Sequence, residues 1–153
     1  MLYEEYEDII IERARMQGID VSALPYVEAL NDPRPTAKPQ VYIMYNGSTF
    51  SDPENIGATA QRETLNFEIF IKARARRGER GVFAVSEEIK GRLMGWKPDG
   101  AITPVALTSF GYVAGVMNNW QYMINFTFDR YAVQRDFSQP ERLIKKITPK
   151  IDR

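Results

Sequence analysis

The sequence predicts a single α+β domain in which two helices pack on one face of a mainly antiparallel or mixed sheet of four to five strands. Helical spacing of apolar residues occurs near the start of the chain and again in its middle. Long segments in which apolar and polar residues alternate lie before and after the second helix, as in sheets that are covered on one face. A chain of 153 residues, 44% of them hydrophobic, is large enough for one buried core.

The helices are predicted over residues 3–17 and roughly 82–94. In the first, apolar residues recur at helical spacing and Gly18 follows as a stop. Residues 19–39 contain four prolines, which predicts a connection with at most a short strand at 26–30. In the second helix one stripe holds Val82, Val85, Ile89 and Leu93.

The strands are predicted over 40–46, 62–75, 102–118 and 120–134. The first ends at the turn pair Asn46-Gly47, and a polar loop follows at 51–61. Apolar odd positions of 62–75 face the core, whereas Phe70 lies on the polar side, where it marks either covered surface or a single exposed aromatic. Because asparagine tolerates positive φ, Asn118-Asn119 predicts an antiparallel hairpin between the last two strands.

The residue types argue against an enzyme. The chain has no cysteine and no histidine, which excludes thiolate metal sites and Ser-His or Cys-His nucleophiles. No spacing selects a catalytic carboxylate pair, no nucleotide motif occurs, and 52–57 fits a calcium loop only in its glycine. We expect no catalytic, cofactor-binding or metal-binding residues. The acidic start and short apolar runs also predict neither a signal peptide nor a membrane partner.

Charge is balanced overall but segregated along the chain. Residues 1–35 carry a net −5, whereas 72–92 and 130–153 each carry +4. Such a chain can bind copies of itself head to side, or the charged segments can simply be solvated faces of a monomer. The acids at the start are Glu4, Glu5, Glu7 and Asp8.

A strip of basic residues is the sharpest local pattern. Side chains at alternate positions of a strand point to the same face of the sheet. We therefore expect these basic side chains to form an exposed row that ends in a glycine turn. This row could face DNA non-specifically, face an acidic protein surface, or keep an edge strand soluble. The strip consists of Lys72, Arg74, Arg76, Arg77 and Arg80.

Four local patterns carry a family resemblance. They are the strand that ends in Tyr45-Asn46-Gly47, the Gln61-Arg62 start of an alternating strand, the helix exit RLMGWKP at 92–98, and the aromatic last strand. In their order and lengths they resemble the tail terminator (tail-completion) proteins of long-tailed bacteriophages, most closely those of Mu-like contractile-tailed phages. The resemblance covers roughly residues 3–133, and none of its motifs is an active site.

The resemblance implies a structural protein of the virion. It implies a ring, usually a hexamer, that caps the tail tube at the neck, stops tube growth and offers a joining surface to the head. The partners implied are further copies of the chain, the tail tube protein, the neck or head-completion protein and the sheath protein. Genomic DNA would pass through the ring without sequence-specific binding, and assembly would take place in the host cytoplasm.

Two other functions remain open from the residues alone: a small cytosolic carboxylate- or metal-dependent enzyme, and a monomeric non-specific nucleic-acid binder. The sequence also predicts a division into a domain at 1–134 and a basic tail at 135–153. Three large aliphatic residues can hardly fix that tail on its own. The tail can therefore dock on the body, dock on a neighbour or stay mobile. We expect the tail and the polar 47–60 loop to be mobile in the free subunit and ordered on assembly.

Overall fold

A computed structural model describes residues 1–55 and 59–135 of the chain. Two α-helices, six strands and one 3-10 helix make up the domain. They are α1 (Tyr3–Ala14), β1 (Asp20–Ala23), the 3-10 helix (Val27–Asn31), β2 (Gln40–Phe50), β3 (Glu54–Asn55), β4 (Thr59–Ala73), α2 (Val82–Leu93), β5 (Ala106–Val116) and β6 (Asn119–Val133).

The strands form one mixed sheet in the order β1-β2-β4-β6-β5, with the two-residue β3 paired to β4. β1 runs parallel to β2, and every other pair is antiparallel. The long central pair β4–β6 keeps one register from Ala60 opposite Val133 to Ala73 opposite Trp120. The predicted α+β class is confirmed, and the short β3 adds a sixth strand.

The core lies between the two helices and one face of the sheet. Odd positions of β4 and even positions of β6 point into it, as the alternation predicts. Phe67 is fully buried, and its ring stacks on those of Phe126 and Phe128 at centroid distances of 5.3 and 5.4 Å. α1 adds Tyr6 and Ile10, and α2 covers the same face beside it.

The connection between the first helix and β2 differs from the prediction. The strand lies at β1, and 26–30 falls in the 3-10 helix, so the expected strand at 26–30 is wrong. The carbonyl groups of this stretch are held by side chains of the sheet instead of by a strand ladder. Lys72 Nζ donates to Asp32 O at 2.8 Å, and the Gln121 side chain donates to Leu30 O.

Residues 24–39, the crossing segment, therefore cover one end of the sheet's second face. Asn119 fixes the segment further by accepting from Thr36 N at 3.2 Å and donating to Arg34 O at 2.9 Å. Phe70 is only 8% exposed. The first of the two interpretations of Phe70, that it lies under a covered part of the sheet's second face, is thus confirmed.

The pair Asn46-Gly47 is a β-bulge and does not end the strand. The register between β2 and β4 slips between Tyr45 and Gly47, and β2 continues to Phe50. Gly47 has φ +139°, which an L side chain rarely adopts. The same Asn-Gly signal serves turns and bulges, so the sequence could not separate the two.

The remaining boundaries follow the prediction only in part: α1 ends at Ala14, three residues before the predicted end at 17, and β5 begins at Ala106, four residues after the predicted start at 102. α2 ends within a residue of the expected position, and Asn118 turns the β5–β6 hairpin at φ 72°. The expected polar loop at 51–61 is shorter than predicted because β3 and the start of β4 occupy parts of it. Residues 56–58 and 136–153, including most of the predicted tail, lie outside the described part of the chain. In the described part, no helix has the length and apolar character needed to cross a membrane.

Candidate subunit interface

A buried carboxylate anchors the start of α1 to the sheet. Glu63 is 1% exposed and accepts hydrogen bonds from Tyr3 OH at 2.6 Å, Ser48 Oγ at 2.7 Å and Arg130 Nε at 2.7 Å. Arg130 lies opposite Glu63 in the β4–β6 register and also donates to Met1 O. The bulge puts Ser48 on the same face as Tyr45, whose hydroxyl is hydrogen-bonded to it.

The electrostatics of this cluster follow from its contacts. Burial raises the pKa of Glu63, but the hydrogen bonds from Tyr3, Ser48 and Arg130 outweigh burial and lower that pKa below its usual range. The bond to Glu63, together with burial, raises the pKa of Tyr3 to about 12. Glu63 is therefore a charged structural anchor at neutral pH.

Of the four acids expected at a contact between copies, Glu5 and Glu7 accept hydrogen bonds from backbone N–H groups of their own chain. Glu7 Oε2 accepts from Tyr45 N at 2.8 Å beside the bulge, and Glu5 Oε1 accepts from Leu2 N at 2.6 Å. Glu4 and Asp8 are exposed, and neither forms a salt bridge with any residue of the described ranges. These two carboxylates are the ones available to a second molecule.

The predicted basic strip is not one row. β4 ends at Ala73, and Lys72 is 1% exposed under the crossing segment, so the expected exposed row 72–74–76 is wrong in its geometry. Burial lowers the pKa of Lys72. The four exposed arginines that remain lie in the connection to α2, which we call the basic turn: Arg74, Arg76, Arg77 and Arg80.

Glycines shape the basic turn. Gly78 has φ +94°, and a Cβ on Gly81 would lie 2.5 Å from the carbonyl oxygen of Arg77. This close approach lets Val82 N and Phe83 N donate to the carbonyls of residues 75 and 76, so the turn is joined directly to the first turn of α2.

The guanidinium groups of the basic turn carry no salt bridge to any described residue. Arg80 donates to Gly18 O at 3.3 Å. Arg76 lies over the rings of Phe83 and Trp120, 5.6 and 5.2 Å from their centroids. Arg76 and Arg80 are thus held in place by neutral groups, and no carboxylate of the described residues forms a salt bridge with the basic turn.

The basic turn and the acidic start of α1 lie at opposite ends of the subunit. The start of α1 is tied to Glu63, whereas the basic turn follows Ala73 at the other end of β4. The ten residues between them span about 33 Å at the usual rise of a strand. The exposed acids Glu4 and Asp8 and the basic turn therefore lie at opposite ends of the sheet. The wider charged segments are not separated in this way, since Asp32 lies beside Lys72 and Arg130 lies beside the start of α1.

An exposed group of aromatic side chains lies beside the basic turn, and the sequence analysis missed it. Phe110, Tyr112 and Trp120 are 38%, 55% and 38% exposed. The rings of Phe110 and Tyr112 contact Tyr122, which in turn contacts Phe83 of α2, and the ring of Trp120 contacts Tyr112. We call these five residues the aromatic surface. Alternation predicted that the even positions of β6 face the core, and they lie on that face, but α2 contacts β5 through Lys90 over Phe110 and leaves Tyr112 and Trp120 exposed.

Other surface features are modest. An open depression of about 370 Å³ between the end of α1 and α2 is lined by Met16, Glu79, Arg80 and Glu88, among others. Within 1–55 and 59–135, no group of three or more acidic side chains is placed to hold a metal ion.

Fold and surface together define a small mixed-sheet α+β domain with exposed acids at the start of α1 and exposed arginines beyond the opposite end of β4. The chain belongs to the Gp37 protein family, whose model matches residues 13–149. No curated protein matches it. Among solved structures it is similar to a chain of "Virion of native gene transfer agent (GTA) particle", with 12% identity and a TM-score of 0.46, covering 84% of this chain and 88% of that one.

Proposed function

We propose that this Gp37-family chain is a structural protein of a phage virion that caps the end of the tail tube as a ring. The phage role is supported by the resemblance of residues 3–133 to tail terminators. In this proposal the ring stops tube polymerisation and joins the tail to the neck and sheath. The chain has no enzymatic role in it.

The ring itself is supported by one observation, the opposite charges at opposite ends of the subunit. A contact between unlike surfaces repeats head to tail, and it closes into a ring when the rotation between copies allows. Arg76 and Arg77 of one copy would face Glu4 and Asp8 of the next. Complementary charges of this kind set register and association rate.

Charge reversal tests the contact. We expect the double variant Arg76→Glu, Arg77→Glu to abolish ring formation, measured by light scattering of the free protein and by electron microscopy of tails assembled with it. Adding Glu4→Lys and Asp8→Lys should partly restore the ring, because coupled charges rescue each other in a double-mutant cycle. Glu5 and Glu7 are left unchanged, since both have partners within the subunit.

A matched control variant makes the same change in net charge at a different part of the surface. Arg34 and Lys38 lie on the crossing segment and form only exposed salt bridges, with Asp32 and Asp20. Arg34→Glu, Lys38→Glu should leave the ring intact. A wild-type protein of 17.6 kDa that stays monomeric both alone and with tail tubes would refute the ring. Intact rings with poor genome retention in the Arg76, Arg77 variant would instead assign the basic turn to the channel.

A further inference from the structure

The aromatic surface has the composition of a protein-binding site. Its three exposed rings lie side by side, with Arg76 over Trp120 and Lys90 Nζ 4.7 Å from the centroid of Phe110. Aromatic and arginine side chains dominate the binding energy of protein interfaces. β5 is the outer strand on this side, and no strand of the described residues pairs with its far edge.

The start of α1 offers the complementary chemistry. Leu2 is 62% exposed and is followed by Tyr3, which is 39% exposed. Glu4 and Asp8 stand on the same helical turns without salt-bridge partners in the described part of the chain. An apolar side chain flanked by carboxylates matches aromatic rings flanked by arginines.

We infer that the aromatic surface binds the start of α1 of a second copy, with Leu2 against Tyr112 and Trp120 and its acids against the basic turn. This inference rests on the proposed ring and names its central contact. The two surfaces cannot meet within one subunit: Tyr122 of the aromatic surface and Arg130 beside α1 are eight residues apart on β6, about 27 Å. The contact therefore joins each copy to a different one.

Substitution of the most exposed ring provides the first test. We expect Tyr112→Ala to raise the protein concentration needed for ring formation at least about 10-fold, as loss of an interface anchor does. Tyr26→Ala is the control, since Tyr26 is similarly exposed, at 57%, on the crossing segment. Equal assembly of both variants and wild type would overturn the inference while the ring itself stands. Absence of wild-type rings would refute the proposed function as well.

Cysteine pairs provide a test that does not depend on weakened assembly. The chain contains no cysteine, so Leu2→Cys combined with Tyr112→Cys creates one defined pair. Under mild oxidation we expect this variant to form covalent multimers up to the size of the ring, whereas Leu2→Cys with Tyr26→Cys should not. Cross-linking of the first pair no better than of the second would exclude the contact even if Tyr112→Ala were poorly folded.

Discussion

Replacement of Glu63 by glutamine tests whether the buried carboxylate fixes the acidic end of the subunit. A glutamine has the same shape but presents one oxygen and one NH2 group. The NH2 group cannot accept, so the hydrogen bonds that Glu63 accepts from Tyr3, Ser48 and Arg130 cannot all be kept, and at least one is lost or reverses its direction. Each hydrogen bond to a charged group contributes about 1.5–3 kcal/mol, and Arg130 also loses its counter-charge.

We therefore expect Glu63→Gln to lower the free energy of unfolding by about 2–4 kcal/mol at pH 7. The side chain of Arg130 is 18% exposed, so water compensates part of the lost pairing. For a domain of this size the change corresponds to a fall in Tm of roughly 5–15 °C. Urea and thermal unfolding followed by circular dichroism would measure it.

The difference between wild type and Glu63→Gln should depend on pH. Because folding lowers the pKa of Glu63, its stabilisation is fully present above the usual glutamate value of 4.5 and is lost as the pH falls through the lower folded value. The two proteins should thus approach equal stability in acid. A difference that is constant from neutral to strongly acidic pH would refute the charged-anchor interpretation.

Asp129→Asn is the matched control for Glu63→Gln. Asp129 lies on β6 next to Arg130, and its carboxylate accepts from Arg62 Nε at 2.7 Å, but the Arg62 side chain is 48% exposed. Exposed ion pairs contribute about 0–1 kcal/mol. If Asp129→Asn destabilises the protein as much as Glu63→Gln, burial is not the cause of the larger effect.

Two further predictions concern the crossing segment and the hairpin. Lys72→Met removes the donor to Asp32 O, so amide hydrogen exchange in 24–39 should accelerate; unchanged protection would contradict the role given to Lys72. Because burial lowers the pKa of Lys72, wild type should gain stability relative to this variant as the pH rises toward 10.5. Asn118→Ala should lower the free energy of unfolding by about 1–2 kcal/mol, because alanine is strained at the φ of 72° that this position adopts. Asn118→Gly should lower it less in the same denaturation assay, because glycine adopts positive φ readily.

The alternation of β4 and β6 shows how much of the fold could be predicted. Side chains at Leu65, Phe67 and Ile69 alternate with polar ones, and this local pattern dictates which face is buried. What alternation could not predict is how far the covering elements reach. Phe70 is buried on the second face of the sheet, whereas Tyr112 on the outer strand β5 is exposed.

The charged residues of the candidate site could be listed from the sequence, but their positions could not, and their role at an interface stays a prediction. The structure places Glu4 and Asp8 at the opposite end of the sheet from the basic turn, whereas Asp32 lies beside Lys72 and Arg130 beside the start of α1. The sequence could not show that Lys72 turns under the crossing segment, or that Glu5 and Glu7 bind backbone N–H groups. Those facts depend on contacts between residues far apart in the chain, which spacing along a strand does not encode.

The position of the Glu63 cluster connects the stability of the subunit to its proposed assembly. Tyr3 and Arg130 hold the first turn of α1 against the sheet, so Leu2, Glu4 and Asp8 project from a fixed support. At the other end, Gly81 and the rings of Phe83 and Trp120 hold the basic turn. Surfaces that are ordered before contact lose less entropy on binding. Glu63→Gln should therefore weaken ring formation even at temperatures at which the variant is fully folded, whereas Asp129→Asn should not.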